Sequence, residues 1–458
     1  MKNRLLSILA LLLVFSLLVG CVPVNVENPV TEQKSTAFLN GIALEEFTII
    51  YDEAAPDYCQ RAAGYIQTKI QERTGLQLSV CSAASGNYEH EIVVGQTNRA
   101  ISASLDAKTE NVEFAISADE NHIAMEGDYF IIAAAAYYFV ETYITGKSFT
   151  SVIPKETTVH TPITEKAKNY IFLIGDGMGE NQTKLFDYME LTEDMDYHDG
   201  ENVFYGNYLP YQGYIRTNSL SGTTDSAAGA TALACGYKTY NHYVGKDENL
   251  NDVQSLTELA NSKNMATAVM STDKMNGATP AGFSAHVEDR DDTTALLESQ
   301  SAVKENGTII LCGLNSSSAF QDKITQTLSQ LEQSENGFFM MYEEGYIDKH
   351  AHDWDAEGVF SAMVRFNQAI GVFMEYAFYH PDTFLIITAD HETGGLDFDA
   401  EGNPVFTVDG HSPVDVPIYG YGQGAEVFAN YNQENTEVPK VIASLWGVPD
   451  FGDQRTIG

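Results

Sequence analysis

Six short, β-rich apolar runs recur along residues 166–458. Each borders a polar cluster, and stretches with helical spacing separate them. The runs are Tyr170 to Ile174, Ala266 to Met270, Thr308 to Leu311, Phe338 to Met341, Phe384 to Ile387 and Pro417 to Tyr421. Continuous apolar strands alternating with helices predict an α/β fold with a mainly parallel central sheet, covered by helices on both faces. In such sheets sites form beyond the carboxyl ends of the strands. Chemistry is therefore expected in the polar clusters just past the runs.

A smaller α/β domain is expected ahead of it, over residues 38–155. Phe47 to Tyr51 and Glu91 to Gly95 read as strands. Ala62 to Arg73 has helical spacing, with Gly75 as its stop. Phe114 to Ile116 and His122 to Met125 read as a hairpin, and Tyr129 to Tyr143 as an apolar helix. This order, with Ile92 to Arg99, resembles the non-catalytic α/β domain that precedes the catalytic domain of some glycoside hydrolases. No acid–base constellation occurs in it. Cys59 and Cys81 are candidates for a disulfide in an exported chain, whereas Cys235 and Cys312 sit in small or apolar runs and read as buried thiols.

Residues 1–20 read as an export signal. Lys2 and Arg4 flank an apolar core, Leu5 to Leu18, that is shorter than the ~20 residues of a spanning helix. It ends in Leu18-Val19-Gly20-Cys21, which resembles a bacterial lipobox with Cys21 as the lipidated residue. Residues 21–37 then read as a polar tether. The expected location is extracytoplasmic, anchored by lipid to the cell membrane. The 458-residue chain carries 64 acidic and 25 basic side chains, a formal charge of −39. So few basic groups argue against a nucleic-acid partner, whose phosphates need neutralising.

Acidic and imidazole side chains gather after the apolar runs. Asp176 follows the first, on the turn Gly175-Asp176-Gly177-Met178-Gly179. Glu343, Glu344, Asp348, His350 and His352 follow Phe338 to Met341. Asp390 and His391 follow Phe384 to Ile387, and His411 precedes the last run. Carboxylates collected at one edge repel unless cations lie between them. Mixed imidazole and carboxylate donors suit Zn²⁺, and all-oxygen sets suit Mg²⁺. Asp348 and His352 are four apart and share one helical face, which turns His350 elsewhere.

Ser226 opens the small-residue stretch Ser226-Ala227-Ala228-Gly229-Ala230. A serine at a helix N-terminus is either a plain cap or a nucleophile facing a bound anion. No Gly-x-Ser-x-Gly elbow supports an esterase triad, and a metal is the other means of activating the hydroxyl. Arg290, after Ala278-Thr279-Pro280-Ala281 and His286, has the chemistry to grip two phosphate oxygens.

Taken together, six segments resemble the alkaline phosphatase family over about residues 168–430. They are Ile174 to Gly179, Thr224 to Ala228, Ala278 to Ala281 with Arg290, Ile347-Asp348-Lys349 with His352, Thr388 to His391, and Gly410-His411. The resemblance implies a metal-dependent phosphomonoester hydrolase with a phosphoserine intermediate at Ser226, two zinc ions and one magnesium. By it, Asp348, His352 and His411 match ligands of one zinc. Asp176, Asp390, His391 and Ser226 match those of the other. Asp176, Thr279 and Glu343 match the magnesium site, Arg290 the phosphate-binding arginine, and Lys349 a position that reaches phosphate through water.

The chain departs from the family in four places. Gly277 stands where an acidic residue or histidine is usual, which weakens the third metal site or leaves it more hydrated. Glu344 stands where glycine is usual, so Glu343 is preferred as ligand for its spacing to Asp348. The intervals from Arg290 to Glu343 and from His391 to His411, 53 and 20 positions, are short for the family. This implies a more open site and leaves dimerisation open. The competing readings are a phosphodiesterase or other hydrolase of the superfamily, and a surface glycan-binding lipoprotein with a vestigial site.

Overall fold

The structure, a computed structural model, describes residues 36–53, 57–105, 112–191, 202–305, 309–314 and 320–453. The expected signal, Cys21 and nearly all of the tether lie outside the described residues. The chain divides into two compact units. One holds the described residues up to 105 with Ala115–Glu126 and Tyr138–Thr158. The other holds 112–114, Gly127–Tyr137 and the chain from Val159 onward.

In the first unit the strand Phe47–Tyr51 lies between parallel neighbours Ser79–Ser82 and His90–Val94. Next to His90–Val94 comes His122–Glu126, which pairs antiparallel with Phe114–Ala118, as the hairpin pattern predicts. The helix Asp57–Thr74 starts a turn earlier than its periodicity suggests and buries Tyr58, Cys59, Ala62, Ala63, Ile66 and Ile70. Gly75 ends it at φ +84°, a conformation that costs glycine little. No disulfide joins Cys59 and Cys81, which are both buried thiols. Cys235 is buried as expected, and Cys312 is half-buried.

The second unit is built on an eight-stranded sheet. Its strands in chain order are β1 (Asn169–Gly175), β2 (Tyr211–Arg216), β3 (Ala266–Ser271), β4 (Ile309–Gly313), β5 (Phe338–Glu344), β6 (Thr383–Thr388), β7 (Val416–Tyr421) and β8 (Asn432–Glu434). The spatial order is β4-β3-β5-β1-β6-β7-β2-β8. All run parallel except β7, which is antiparallel to both β6 and β2. Every residue of β1, β5 and β6 is buried. Strands covered on both faces need no polar alternation, which is why they read as unbroken apolar runs.

Register places the site. Ser271, Glu343, Ile174 and Thr388 stand side by side at the carboxyl ends of β3, β5, β1 and β6. Side chains on this row and just past it therefore share one edge of the sheet. The helix Ser226–Cys235 is buried along its whole length. Its small residues permit close approach. A Cβ on Gly229 would lie 3.0 Å from the Asp390 carbonyl oxygen and 3.1 Å from its Cβ. Glycine there lets the Ser226 helix rest against the turn after β6.

Candidate metal and phosphoryl-transfer site

The turn after β1 carries Asp176 into the edge. Gly177 adopts φ +79°, and a Cβ on it would meet the Asp348 backbone at 2.9 Å. Only glycine suits both demands. The helix Tyr346–His352 brings Asp348 and His352 to the same place, since both lie on one of its faces. His411 arrives on a two-residue strand, His411–Ser412, paired with Glu392–Thr393. Ser226 is the first residue of its helix. Asp225 caps it by accepting from the Ala228 N–H at 2.9 Å.

Two donor groups result. In the first, His352 Nε2 and His411 Nε2 are 3.2 Å apart, and each is 3.4 Å from Asp348 Oδ1. In the second, Asp176, Asp348 and His391 offer ligand atoms within 4.8 Å of one another. Ser226 Oγ is 3.2 Å from His391 Nε2, and Asp390 Oδ2 is 3.3 Å from the same nitrogen. Asp348 thus borders both groups.

Hydrogen bonds select the tautomers. His411 Nδ1 is 2.7 Å from the Thr224 carbonyl, an acceptor only, so Nδ1 donates there and Nε2 is the nitrogen turned to Asp348 or to a cation beside it. Thr393 Oγ1 donates to Asp348 Oδ1 at 2.6 Å, so it accepts from His391 Nδ1 at 3.2 Å. The His391 Nε2 lone pair then faces Ser226, Asp176 and Asp390. Both imidazoles are set as cation ligands.

The electrostatics point the same way. Asp176 is 7 % exposed and Asp390 fully buried. Asp176 Oδ1 and Asp390 Oδ2 have no hydrogen-bond partner. Burial, then Asp390, Asp348 and Glu343, push the Asp176 carboxyl well above the usual range. Burial and the Asp348 charge push Asp390 up to about 7. Burial, with Asp273 and Asp390, pushes Glu343 up to about 8 against the Ser271 hydrogen bond. Burial acts on Asp348 too, but hydrogen bonds from His411 and Thr393 outweigh it and hold that carboxyl well below the usual range. Burial and the neighbouring His411 hold His391 well below an ordinary histidine. Buried carboxylates with orphaned oxygens, facing imidazole lone pairs, are a donor set built for cations. Zinc fits these N/O donors.

A third group lies beside these. Thr279, in the short helix Ala278–Gly282, donates to Asp176 Oδ2 at 3.4 Å. Glu343 accepts from the Ser271 hydroxyl. Consecutive strand residues point to opposite faces, so Glu344 turns away. Arg365, from the helix Ala356–Tyr379, grips it with two nitrogens, and Thr272 donates to it at 2.9 Å. Glu343 therefore faces the Asp176 side and Glu344 is engaged elsewhere. All oxygens here are hard donors, which suits Mg²⁺.

Arg290 borders the nucleophile through Asp225, whose Oδ2 is 3.4 Å from its Nη1. Lys349 forms an ion pair with Asp273 and lies over the Tyr346 ring at 4.5 Å. Two histidines from the motifs lie apart. His350 binds Asp355 at 2.9 Å. His286 binds Glu258 at 3.0 Å and the Gly245 carbonyl at 2.8 Å. Sequence reasoning missed Thr393, the double role of Asp225, and Arg365. A hydroxyl two residues past His391 is a faint signal; the other two have none.

The pattern of the alkaline phosphatase family matches residues 167–312 and 313–409, more than half of the chain. The chain belongs to the alkaline phosphatase family. Alkaline phosphatase 4 of Bacillus subtilis is 27 % identical over 333 residues, covering 60 % of this chain and 71 % of that protein. The Escherichia coli alkaline phosphatase is 38 % identical over 133 residues, 27 % of this chain and 26 % of that one. Among solved structures, the alkaline phosphatase of the Antarctic bacterium TAB5 superposes with a TM-score of 0.52 at 26 % identity, covering 63 % of this chain and 99 % of that one. Family membership places the chain among phosphoester hydrolases.

Proposed function

We propose that this family member hydrolyses phosphate monoesters through a phosphoserine at Ser226, with two zinc ions and one magnesium as cofactors. The observation that supports it most is the buried Ser226 hydroxyl, 3.2 Å from His391 Nε2, beside the unpartnered oxygens of Asp176 and Asp390. Asp348, His352 and His411 would hold one zinc. Asp176, Asp390, His391 and Ser226 would hold the other, and Asp176, Thr279 and Glu343 the magnesium. When bound, such ions lower the pKa of coordinated hydroxyl groups and offset phosphoryl charge.

The chain's own part is positioning. Ser226 attacks phosphorus, forming Oγ–P as the bond to the leaving alkoxide breaks; water then attacks phosphorus and releases Ser226. Asp225 caps the Ser226 helix and orients Arg290, so nucleophile and guanidinium are referenced to one residue. The helix N-terminus favours the incoming anion. Arg290 has two parallel N–H groups for two non-bridging oxygens, which a monoester offers free of substituents.

A rate comparison tests this reading. The soluble form lacking residues 1–21, supplied with Zn²⁺ and Mg²⁺, is expected to prefer p-nitrophenyl phosphate to its bis-ester by a large factor. Arg290→Ala should weaken phosphate inhibition roughly 10–100-fold, the value of one or two charge-assisted hydrogen bonds. A diester preference in the parent protein sinks the monoester reading. An unchanged phosphate inhibition constant removes Arg290 from the site.

We also propose that the protein is exported and anchored to the cell membrane by lipid on Cys21, from the Leu18-Val19-Gly20-Cys21 sequence after its apolar leader. Cys21→Ser should move it from the membrane fraction to the soluble one. Unaltered membrane partition of that variant would refute the anchor.

A further inference from the structure

The chain lacks a side chain at position 277, yet another carboxylate occupies that space. Gly277 is the N-cap of the helix Ala278–Gly282, with φ −65° and ψ 160° and no side-chain cap. Any residue adopts that backbone, and Asp, Asn or Ser would cap the helix better. The neighbourhood explains the glycine. A Cβ there would lie 3.0 Å from the Lys274 carbonyl oxygen and 3.3 Å from Asp273 Oδ2. A Cβ on Gly345 would lie 3.0 Å from Asp273 Cβ and 3.5 Å from Glu343 Oε1. Two glycines thus leave room for one aspartate beside Glu343.

Asp273 is fixed where it stands. Its N–H donates to Ser271 Oγ at 2.9 Å, and the same hydroxyl donates to Glu343. The residue before it donates its N–H to the Glu343 carbonyl at 3.0 Å. Its Oδ1 holds Lys349, while Oδ2 faces position 277. Two carboxylates are therefore gathered together, Asp273 beside Glu343, and Glu343 faces the Asp176 carboxyl whose Oδ2 accepts from Thr279.

We infer that Asp273 supplies the carboxylate that completes the third cation site, from the end of β3 rather than from position 277, and that the same contact positions Lys349. The inference rests on reading Asp176, Thr279 and Glu343 as that site. Magnesium keeps several waters and takes outer carboxylates through them. Asp273 is thus a positioning residue for the hydrated ion, not a group that touches phosphorus.

The test is Mg²⁺ binding to the zinc-loaded protein by titration calorimetry, with zinc content measured alongside. Asp273→Ala should weaken Mg²⁺ binding roughly 10–100-fold, as removal of a group supporting a metal site does, and leave both zincs in place. Adding Gly277→Asp to Asp273→Ala should restore affinity to within a few-fold. The Cβ it adds no longer meets Oδ2, which leaves the Lys274 carbonyl at 3.0 Å as its one tight neighbour, and aspartate suits an N-cap. Unchanged Mg²⁺ affinity in Asp273→Ala overturns the inference. So does loss that the second substitution fails to restore, because Asp273 would then serve the fold and not the ion. A parent protein that binds no third cation would instead overturn the underlying assignment of Asp176, Thr279 and Glu343.

Discussion

Alanine at position 226 should leave a folded, zinc-loaded protein whose turnover of a phosphate monoester falls roughly 10³–10⁵-fold, the scale for loss of a covalent nucleophile. The fold should tolerate the change. Ser226 is the first helical residue and not the cap; the cap is Asp225, which keeps its bond to Ala228. Alanine is the best helix former and adds no volume. The Ser226 hydroxyl meets His391 Nε2 at 3.2 Å, and a cation ligated there retains Asp176, Asp390 and His391. The decisive readout is covalent. Acid-quenched parent protein incubated with substrate should yield a peptide containing Ser226 and one added phosphoryl group, and Ser226→Ala should yield none. Phosphorylation that persists elsewhere in the variant would relocate the nucleophile. Joint loss of metal and fold would make Ser226 a structural residue.

Local rules made part of this legible in the sequence. β1, β5 and β6 are apolar on both faces, so their positions and the acidic residues beyond them stood out. β2 did not. It alternates buried Gly213 and Ile215 with exposed Gln212 and Tyr214, and a glycine with two tyrosines and an arginine makes no apolar run. β8 is three polar residues at the sheet edge. The direction of β7 also lay beyond sequence, since an apolar run carries no polarity of its own. The candidate ligands came out because each motif holds its acid or imidazole within a few residues of a strand end. The choice between Glu343 and Glu344 depended on which face each side chain takes, and Arg365, 21 positions on, holds Glu344 on the other face. Ser226 and His391 are 165 positions apart. The packing of the Ser226 helix against the turn after β6 brings this pair together, and no local pattern encodes it. Gly277 read as a loss at the proposed third site, because the approach of Asp273 Oδ2 to that position, from four residues earlier, has no signature in the sequence.

Removing the metals should make the stability of the larger unit fall as pH rises. In the stripped protein Glu343 keeps its proton up to about 8 and Asp390 up to about 7, while burial and three neighbouring carboxylates hold Asp176 high as well. A carboxyl whose folded pKa exceeds its unfolded one contributes stability in full below the unfolded value. That contribution drains away as pH climbs through the folded value. Between pH 6.5 and 8.5 these groups must ionise next to one another in the folded state, or the unit must open. Asp348 is held low and is ionised throughout. His391, held low, is already neutral in the folded state, and its unfolded imidazole sheds its proton near 6.5, a small opposing gain at the foot of the window. His411, raised by Asp348, loses its charge and pulls in the same direction. The midpoint of thermal unfolding of chelator-treated protein should drop by about 5–10 °C across that window. Zn²⁺ and Mg²⁺ bound at the proposed donors would take the place of the protons, and binding to the folded state alone raises stability. The loaded protein should therefore melt higher and change by less than about 3 °C over the same range. A flat profile in the stripped protein would mean that Asp176, Asp390 and Glu343 do not carry the repulsion. Parallel decline in both forms would mean that the ions bind elsewhere. A steep profile that added Zn²⁺ alone only partly flattens, and Mg²⁺ completes, would separate the zinc donors from the oxygen-lined site at Glu343.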